Sequence, residues 1–264
     1  MGVILANSGA VNGFTSIRNI KITPLVQIAS GMASNTNSAP VKKAGNADWS
    51  ATMDYYGKIP PAFPGDAVSF VAQTGGGSWT GTGICQSIKV TAPIESGGYL
   101  GGSLTVQGNG ALTTGATSVT DSTSPAMYIA TSCKANFGGS DVAGVKEWTL
   151  DLAIDLKTYV QSGVVMRVGS NGNKTATASL TLNEGVPATL IQPGTIDILK
   201  LYVDSTTFYE LRYCIVPNPE QSVPIEAGDL VSATIPLEWS GWKDITGTPT
   251  RGKIDKPGAV SWWA

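Results

Sequence analysis

Apolar and polar residues alternate along most of this chain with a period of two, the spacing of a strand that buries one face. From Ile17 to Ile22, Ile20 and Ile22 fall on one side and Asn19 and Lys21 on the other. Trp49 to Tyr56 repeats the pattern, with Trp49, Ala51, Met53 and Tyr55 sharing a face, and Val68 to Gln73, Gly83 to Thr91 and Leu100 to Gln107 follow. The clearest case is Val145 to Leu156, where Leu150, Leu152, Ile154 and Leu156 alternate with Thr149, Asp151, Ala153 and Asp155. A helix would scatter those apolar residues around its circumference, whereas a strand gathers them on one face. Ala176 to Leu182, Ile196 to Val203, Tyr209 to Val216 and Leu230 to Leu237 complete the set. Residues 29–48 carry no apolar period and many turn formers, so they read as a long exposed loop, with Val168 to Lys174 as a shorter one. Short, evenly spaced strands of this kind predict a sandwich or barrel.

The strands come in two sets, and short motifs recur with them. Pro93-Ile94-Glu95-Ser96-Gly97 returns as Pro224-Ile225-Glu226-Ala227-Gly228, and Phe63-Pro64-Gly65-Asp66 is answered by Gln192-Pro193-Gly194-Thr195. Cys85 and Cys214 precede the two Pro-Ile-Glu motifs at similar distances and read as counterparts. A repeat of this length implies a tandem chain. The expected division is residues 1–114, a Ser/Thr-rich linker 115–126, residues 127–242, and a C-terminal extension 243–264. The expected fold class is all-β: two tandem antiparallel β-sandwich or barrel domains with at most short helices, each large enough to bury a core.

Composition narrows the possible functions. Charged residues make up only 14% of the chain, glycine is abundant at 32 residues, and histidine is absent. Without histidine the commonest general base, metal ligand and pH switch is missing. No carboxylate pair sits in a context that suggests glycoside chemistry. Gly75-Gly76-Gly77 lacks the lysine and the following helix of a phosphate loop. The expectation is a protein that is not an enzyme and takes no cofactor or metal. Residues 127–242 hold seven Lys/Arg against twelve Asp/Glu, and no basic stripe exists to hold a nucleic-acid backbone. Three cysteines without a CxxC pair read as small buried thiols of a protein made in a reducing cytoplasm. Neither a signal peptide nor a membrane span is evident.

One stretch carries a resemblance. Trp79-Thr80-Gly81-Thr82-Gly83-Ile84-Cys85-Gln86-Ser87-Ile88 runs on to Gln107-Gly108-Asn109-Gly110-Ala111-Leu112-Thr113. This resembles the closing strands of bacteriophage major tail tube proteins. Ala143-Gly144-Val145-Lys146-Glu147-Trp148-Thr149-Leu150 is similar to the amino-terminal strand of the same family. The second set of strands departs from the family where Leu237-Glu238-Trp239-Ser240-Gly241-Trp242 replaces the glycine turn.

What the resemblance implies is a virion protein of the tail, made in the host cytoplasm, whose rings stack into a tube. A tandem chain would form trimeric rings of pseudo-sixfold symmetry, with a tape-measure protein inside, terminator and distal tail proteins at the ends, and DNA passing without specific binding. A different class, a carbohydrate-binding β-sandwich of a tail tip or adhesin, stays open, as do a tail terminator and a capsid decoration protein.

Several residues are candidates for these roles. Asp151 and Asp155 lie opposite the apolar stripe and could line the lumen and repel phosphates, or belong to a solvated outer face. Lys42 and Lys43, in the 29–48 loop, are candidates for contact between stacked rings, or are solvated. Trp262 and Trp263 end the extension and are expected to dock on their own domain or on a neighbour. The recurring Glu95 and Glu226 read as turn residues whose carboxylates accept hydrogen bonds from turn amides.

Overall fold

The computed structural model describes residues 3–6, 8–32, 40–74, 77–115, 119, 127–160, 167–170, 172–183, 190, 192–222, 232–240, 242–243, 250–251, 254–256 and 260–261. Nearly all of these are strand. The N-terminal half contributes β1 (Ile4–Ala6), β2 (Ser8–Val11), β3 (Phe14–Met32), β4 (Pro40–Tyr56), β5 (Ala67–Thr74), β6 (Gly77–Pro93), β7 (Gly101–Gly108) and β8 (Thr113–Gly115). A 3-10 turn at Ala130–Ser132 leads into β9 (Lys134–Phe137), β10 (Ser140–Asp141), β11 (Val145–Ile154), β12 (Lys157–Val160) and β13 (Arg167–Ser170). Then come β14 (Lys174–Asn183), β15 (Ile196–Tyr202), β16 (Phe208–Ile215), β17 (Glu220–Ser222) and β18 (Ser232–Trp239). The chain ends with β19 (Trp242–Lys243), β20 (Thr250–Arg251), β21 (Ile254–Lys256) and β22 (Val260–Ser261). All the strand pairings are antiparallel, and eighteen of the strands belong to one hydrogen-bonded sheet.

The same order of pairing occurs twice. In the N-terminal half it runs β3–β4–β7–β6–β5, with β2 beside β5. In the C-terminal half it runs β11–β14–β18–β16–β15, with β9 beside β15. The two Pro-Gly turns match in detail. Asp66 N–H donates to Phe63 O at 2.9 Å and Thr195 N–H to Gln192 O at 3.2 Å. The glycines take positive φ, 98° at Gly65 and 83° at Gly194, as a type II turn requires of its third residue.

Gly65 N–H donates to Cys85 O, and Gly194 N–H to Val216 O. The counterpart of Cys85 is therefore Val216. Cys214, which the spacing suggested, faces Trp239 as Gly83 faces Gly108.

The halves are joined rather than strung together. β6 is seventeen residues long: its first part pairs with β5, and Ser87 to Pro93 pair with Ala153 to Glu147 of β11. Buried residues from both halves form one core cluster, with Phe63 against Tyr209 at 6.3 Å between ring centroids. Glu95 adds to the join, and not as a turn residue: its carboxylate meets Lys146 Nζ at 3.1 Å and accepts from Asn183 Nδ2 at 3.1 Å. Its backbone N–H donates to Lys146 O at 2.9 Å. Glu226 lies outside the described residues.

Other expectations change as well. Residues 29–48 are not a loop. Ile28 to Met32 pair with Ala44 to Pro40, so β3 and β4 form one long hairpin, and residues 33–39 lie outside the description. Arg167–Ser170, expected in a loop, pairs with β12. Thr113–Gly115, at the start of the expected linker, pairs with Thr80 to Ser78 of β6. In the extension, Asp255 and Ile254 pair with Glu210 and Leu211, which docks it on the C-terminal half.

The glycine turn closing β7 has a packing reason. Trp49 is 1% exposed, lies over Gly81 and Gly108, and donates from Nε1 to Gly110 O at 3.0 Å. A Cβ on Gly108 would come within 2.5 Å of the indole. The register places Trp49 beside Gly108, and in the other half Ala176 beside Trp239. The large and small partners have exchanged strands, which conserves volume across the pair. That exchange accounts for the missing glycine turn after Leu237.

Trp49→Ala should lose about 3–5 kcal/mol in urea unfolding, and Gly108→Trp alone should also destabilise. The double variant should be more stable than the sum of the two losses by about 0.5–3 kcal/mol. Strict additivity would show that the two positions are not a volume pair.

Cys85, Cys133 and Cys214 are buried, and burial first, then Asp204, pushes the Cys133 thiol up to about 12. Desolvation raises Cys85, Cys214, Tyr55 and Tyr209 as well. These groups are held neutral in the fold and ionise at lower pH when unfolded, so their contribution is complete below the unfolded values and is lost as pH rises toward the folded ones. Urea midpoints should be flat to about pH 8 and fall above it, and the thiols should resist alkylation until the protein unfolds.

Candidate functional site

The join between β6 and β11 makes a continuous wall of seven strands, β3–β4–β7–β6–β11–β14–β18. Because side chains alternate, ladder partners on neighbouring strands point to the same side. One side is core: Tyr55, Val90, Leu150, Ala178 and Leu237 lie along one row and are all buried.

The other side is polar and open. One row reads Arg18, Asp54, Ser103, Lys89, Asp151, Thr177, Glu238 across the seven strands. The row on one side of it reads Lys21, Thr52, Thr105, Ser87, Ala153, Thr175. The row on the other reads Tyr56, Gly101, Thr91, Thr149, Ser179, Pro236. This surface of hydroxyls and interspersed opposite charges is the widest feature assembled by the fold.

Asp151 stands near the middle of it. Its carboxylate is 3.9 Å from Lys89 Nζ across the β6–β11 join, and both side chains are about half exposed, 48% and 50%. Asp155, just past the end of β11, is exposed and pairs with Lys157. The two aspartates therefore do not act as bare negative charges: each carries a cation beside it, and sequence spacing could not show this because Lys89 lies in the other half. Exposed pairs of this kind contribute little to stability but set the sign of the local field.

Lys42 is exposed and lies on β4 opposite Ser30, and Lys43 lies opposite Ala29. They sit on a strand of the hairpin, not in a loop. That hairpin projects beyond the core, because Leu25 and Val26, on opposite faces of β3, are 54% and 43% exposed and Ile28 is 68% exposed. A two-stranded arm with apolar residues open on both faces is marginal alone and needs a partner layer. Sequence reading missed these residues because a strand with apolar residues on both faces has no alternation to detect. Trp262 and Trp263 lie outside the described residues.

A shallow depression of about 390 Å3 is lined by Asn12, Phe14, Lys58, Ile59 and Tyr128 among others. Among the described residues no group of three His, Cys, Asp or Glu is placed to hold a metal ion. No protein-family model and no curated protein sequence matches the chain.

Lys89→Glu places like charges opposite each other at Asp151 and should cost about 0.2–1 kcal/mol, recovered when Asp151→Lys is added. A double variant no better than Lys89→Glu alone would show that the two residues do not interact across the join.

Proposed function

We infer that this chain is a structural subunit that closes into rings and stacks into a tube, in the manner of phage tail tube proteins. It has no enzymatic role, and its polar wall faces the lumen. The observation that carries this reading is the β6–β11 join: one half's first long strand is seated on the other half's long strand, inside a pairing order that occurs twice. A chain built this way contains one copy of the contact between units and displays the two complementary borders at its ends. Repeating a head-to-tail contact around an axis gives a closed ring.

Three chains, each a tandem of two duplicated units, would make six units around the ring, the pseudo-sixfold arrangement of tube proteins with tandem chains. The polar wall suits a lumen through which DNA travels, since hydroxyls and offset charges give phosphates no strong site to rest on. The exposed arm of β3 and β4, with Lys42 and Lys43, would reach the adjoining ring. Tape-measure, terminator and distal tail proteins are the partners that such a tube requires in a virion.

The test is electron microscopy of the purified protein over a range of concentrations, with a glycan array in parallel. Rings or stacked tubes about as wide as six domains support the reading. Stable monomers that bind glycans would contradict it and favour a carbohydrate-binding module. In tubes, Asp151→Lys with Asp155→Lys should leave assembly intact and slow DNA release, and normal release by that variant would count against a lumenal position.

A further inference from the structure

The two borders of the wall differ. At one end, β17 pairs with β18 through Glu220↔Thr234, Gln221↔Ala233 and Ser222↔Ser232, and no second strand is bonded to β17 among the described residues. At the other end, β3 already carries a strand on its outer edge: β1, through Ile4↔Ile22, Leu5↔Lys21 and Ala6↔Ile20.

The join in the middle of the wall identifies what each border corresponds to. Lys89, Val90 and Thr91 face Ser103, Gly102 and Gly101 of β7 just as Glu220, Gln221 and Ser222 face Thr234, Ala233 and Ser232 of β18. The same offset relates Pro93-Ile94-Glu95 to Pro224-Ile225-Glu226 in the sequence. On the receiving side, Ile22 and Lys21 face Ala51 and Thr52 of β4 as Leu150 and Thr149 face Ala178 and Ser179 of β14. Within the chain, Val90 lies against Leu150 and Thr91 against Thr149. Ile4 and Leu5 thus occupy on β3 the positions that Val90 and Thr91 occupy on β11. β1 is a short substitute for the strand that fills this edge in the middle of the wall.

Resting on the tube reading, we propose that β1 is a removable cap, displaced on assembly by β17 of a second copy of this chain, whose Gln221 and Ser222 come to lie against Ile22 and Lys21. The cap is suited to leaving. It makes three ladder pairs where the internal join makes seven. Leu5 is 71% exposed and Val3 52%, so the cap buries little of its own apolar surface. An edge strand left open invites pairing with any passing chain, and covering it until the right partner arrives restrains premature or wrong association. The exchange replaces like hydrogen bonds with like and lengthens the ladder. It also places Glu220 diagonal to Lys21, a charge pair of the opposite sense to Lys89 and Asp151 in the internal join.

Two cysteine pairs test the exchange, and the three native thiols, being buried, do not compete. Leu5→Cys with Lys21→Cys locks the cap by a disulfide. Reduced, this variant should form tubes as the unaltered protein does; oxidised, it should lose sedimentable tubes and regain them with dithiothreitol. Lys21→Cys with Ser222→Cys, oxidised after assembly, should give covalent dimers and trimers on a denaturing gel. Assembly of the locked variant to the normal extent, or absence of the covalent ladder, overturns the exchange and leaves the tube reading standing. If the unaltered protein forms neither rings nor tubes, the tube reading fails and the exchange with it.

Discussion

The hydrogen-bonded join between Ser87–Pro93 and Glu147–Ala153 is the constraint on which the rest of the structure depends. Without it the chain would be two sheets, each with a long open edge of unpaired amides and carbonyls, a costly and association-prone arrangement. With it, the buried rows of both halves become one core and the polar rows one wall. Glu95 fixes the join at one end through Lys146 and Asn183, and Lys89 meets Asp151 near its middle. Register is strict here because a slip of one residue would turn Val90 and Leu150 outward and Lys89 and Asp151 into the core.

The duplicated pairing order shows how one packing problem was solved twice with different residues. Trp49 fills the space above Gly108, and Trp239 fills the matching space beside Ala176. In the N-terminal half β6 runs through a bulge between Cys85 and Ser87; in the C-terminal half Pro217 and Pro219 fall between β16 and β17. A proline cannot donate to a ladder, so the strand is interrupted where its counterpart only bends. Divergence of this kind keeps the architecture and changes the two borders.

Much of the fold was legible in the chain. Alternation located the core strands because each has one buried face: Leu150, Leu152 and Ile154 against Thr149, Asp151 and Ala153 is the plainest instance. Recurrence of Pro-Ile-Glu and Pro-Gly gave the offset that ladder registers reproduce. Alternation was silent where both faces of a strand are exposed, which is why 29–32 and 40–48 read as a loop. It was silent too on contacts between distant segments, so Lys89 beside Asp151, Lys146 beside Glu95 and Val216 as the counterpart of Cys85 needed the structure. Residues 4–6 are too few to show a period, and their position on β3 is set by tertiary pairing alone.

The central claim is that the contact between copies is the internal join made again. The most direct measurement is a reconstruction of the assembled protein fine enough to assign register. The account predicts that Gln221 of one copy lies against Ile22 of the next, that the row from Arg18 to Glu238 runs unbroken around the inner wall, and that adjacent units are related alike within and between chains. Copies that meet through other edges, or a wall whose polar side faces outward, would contradict it.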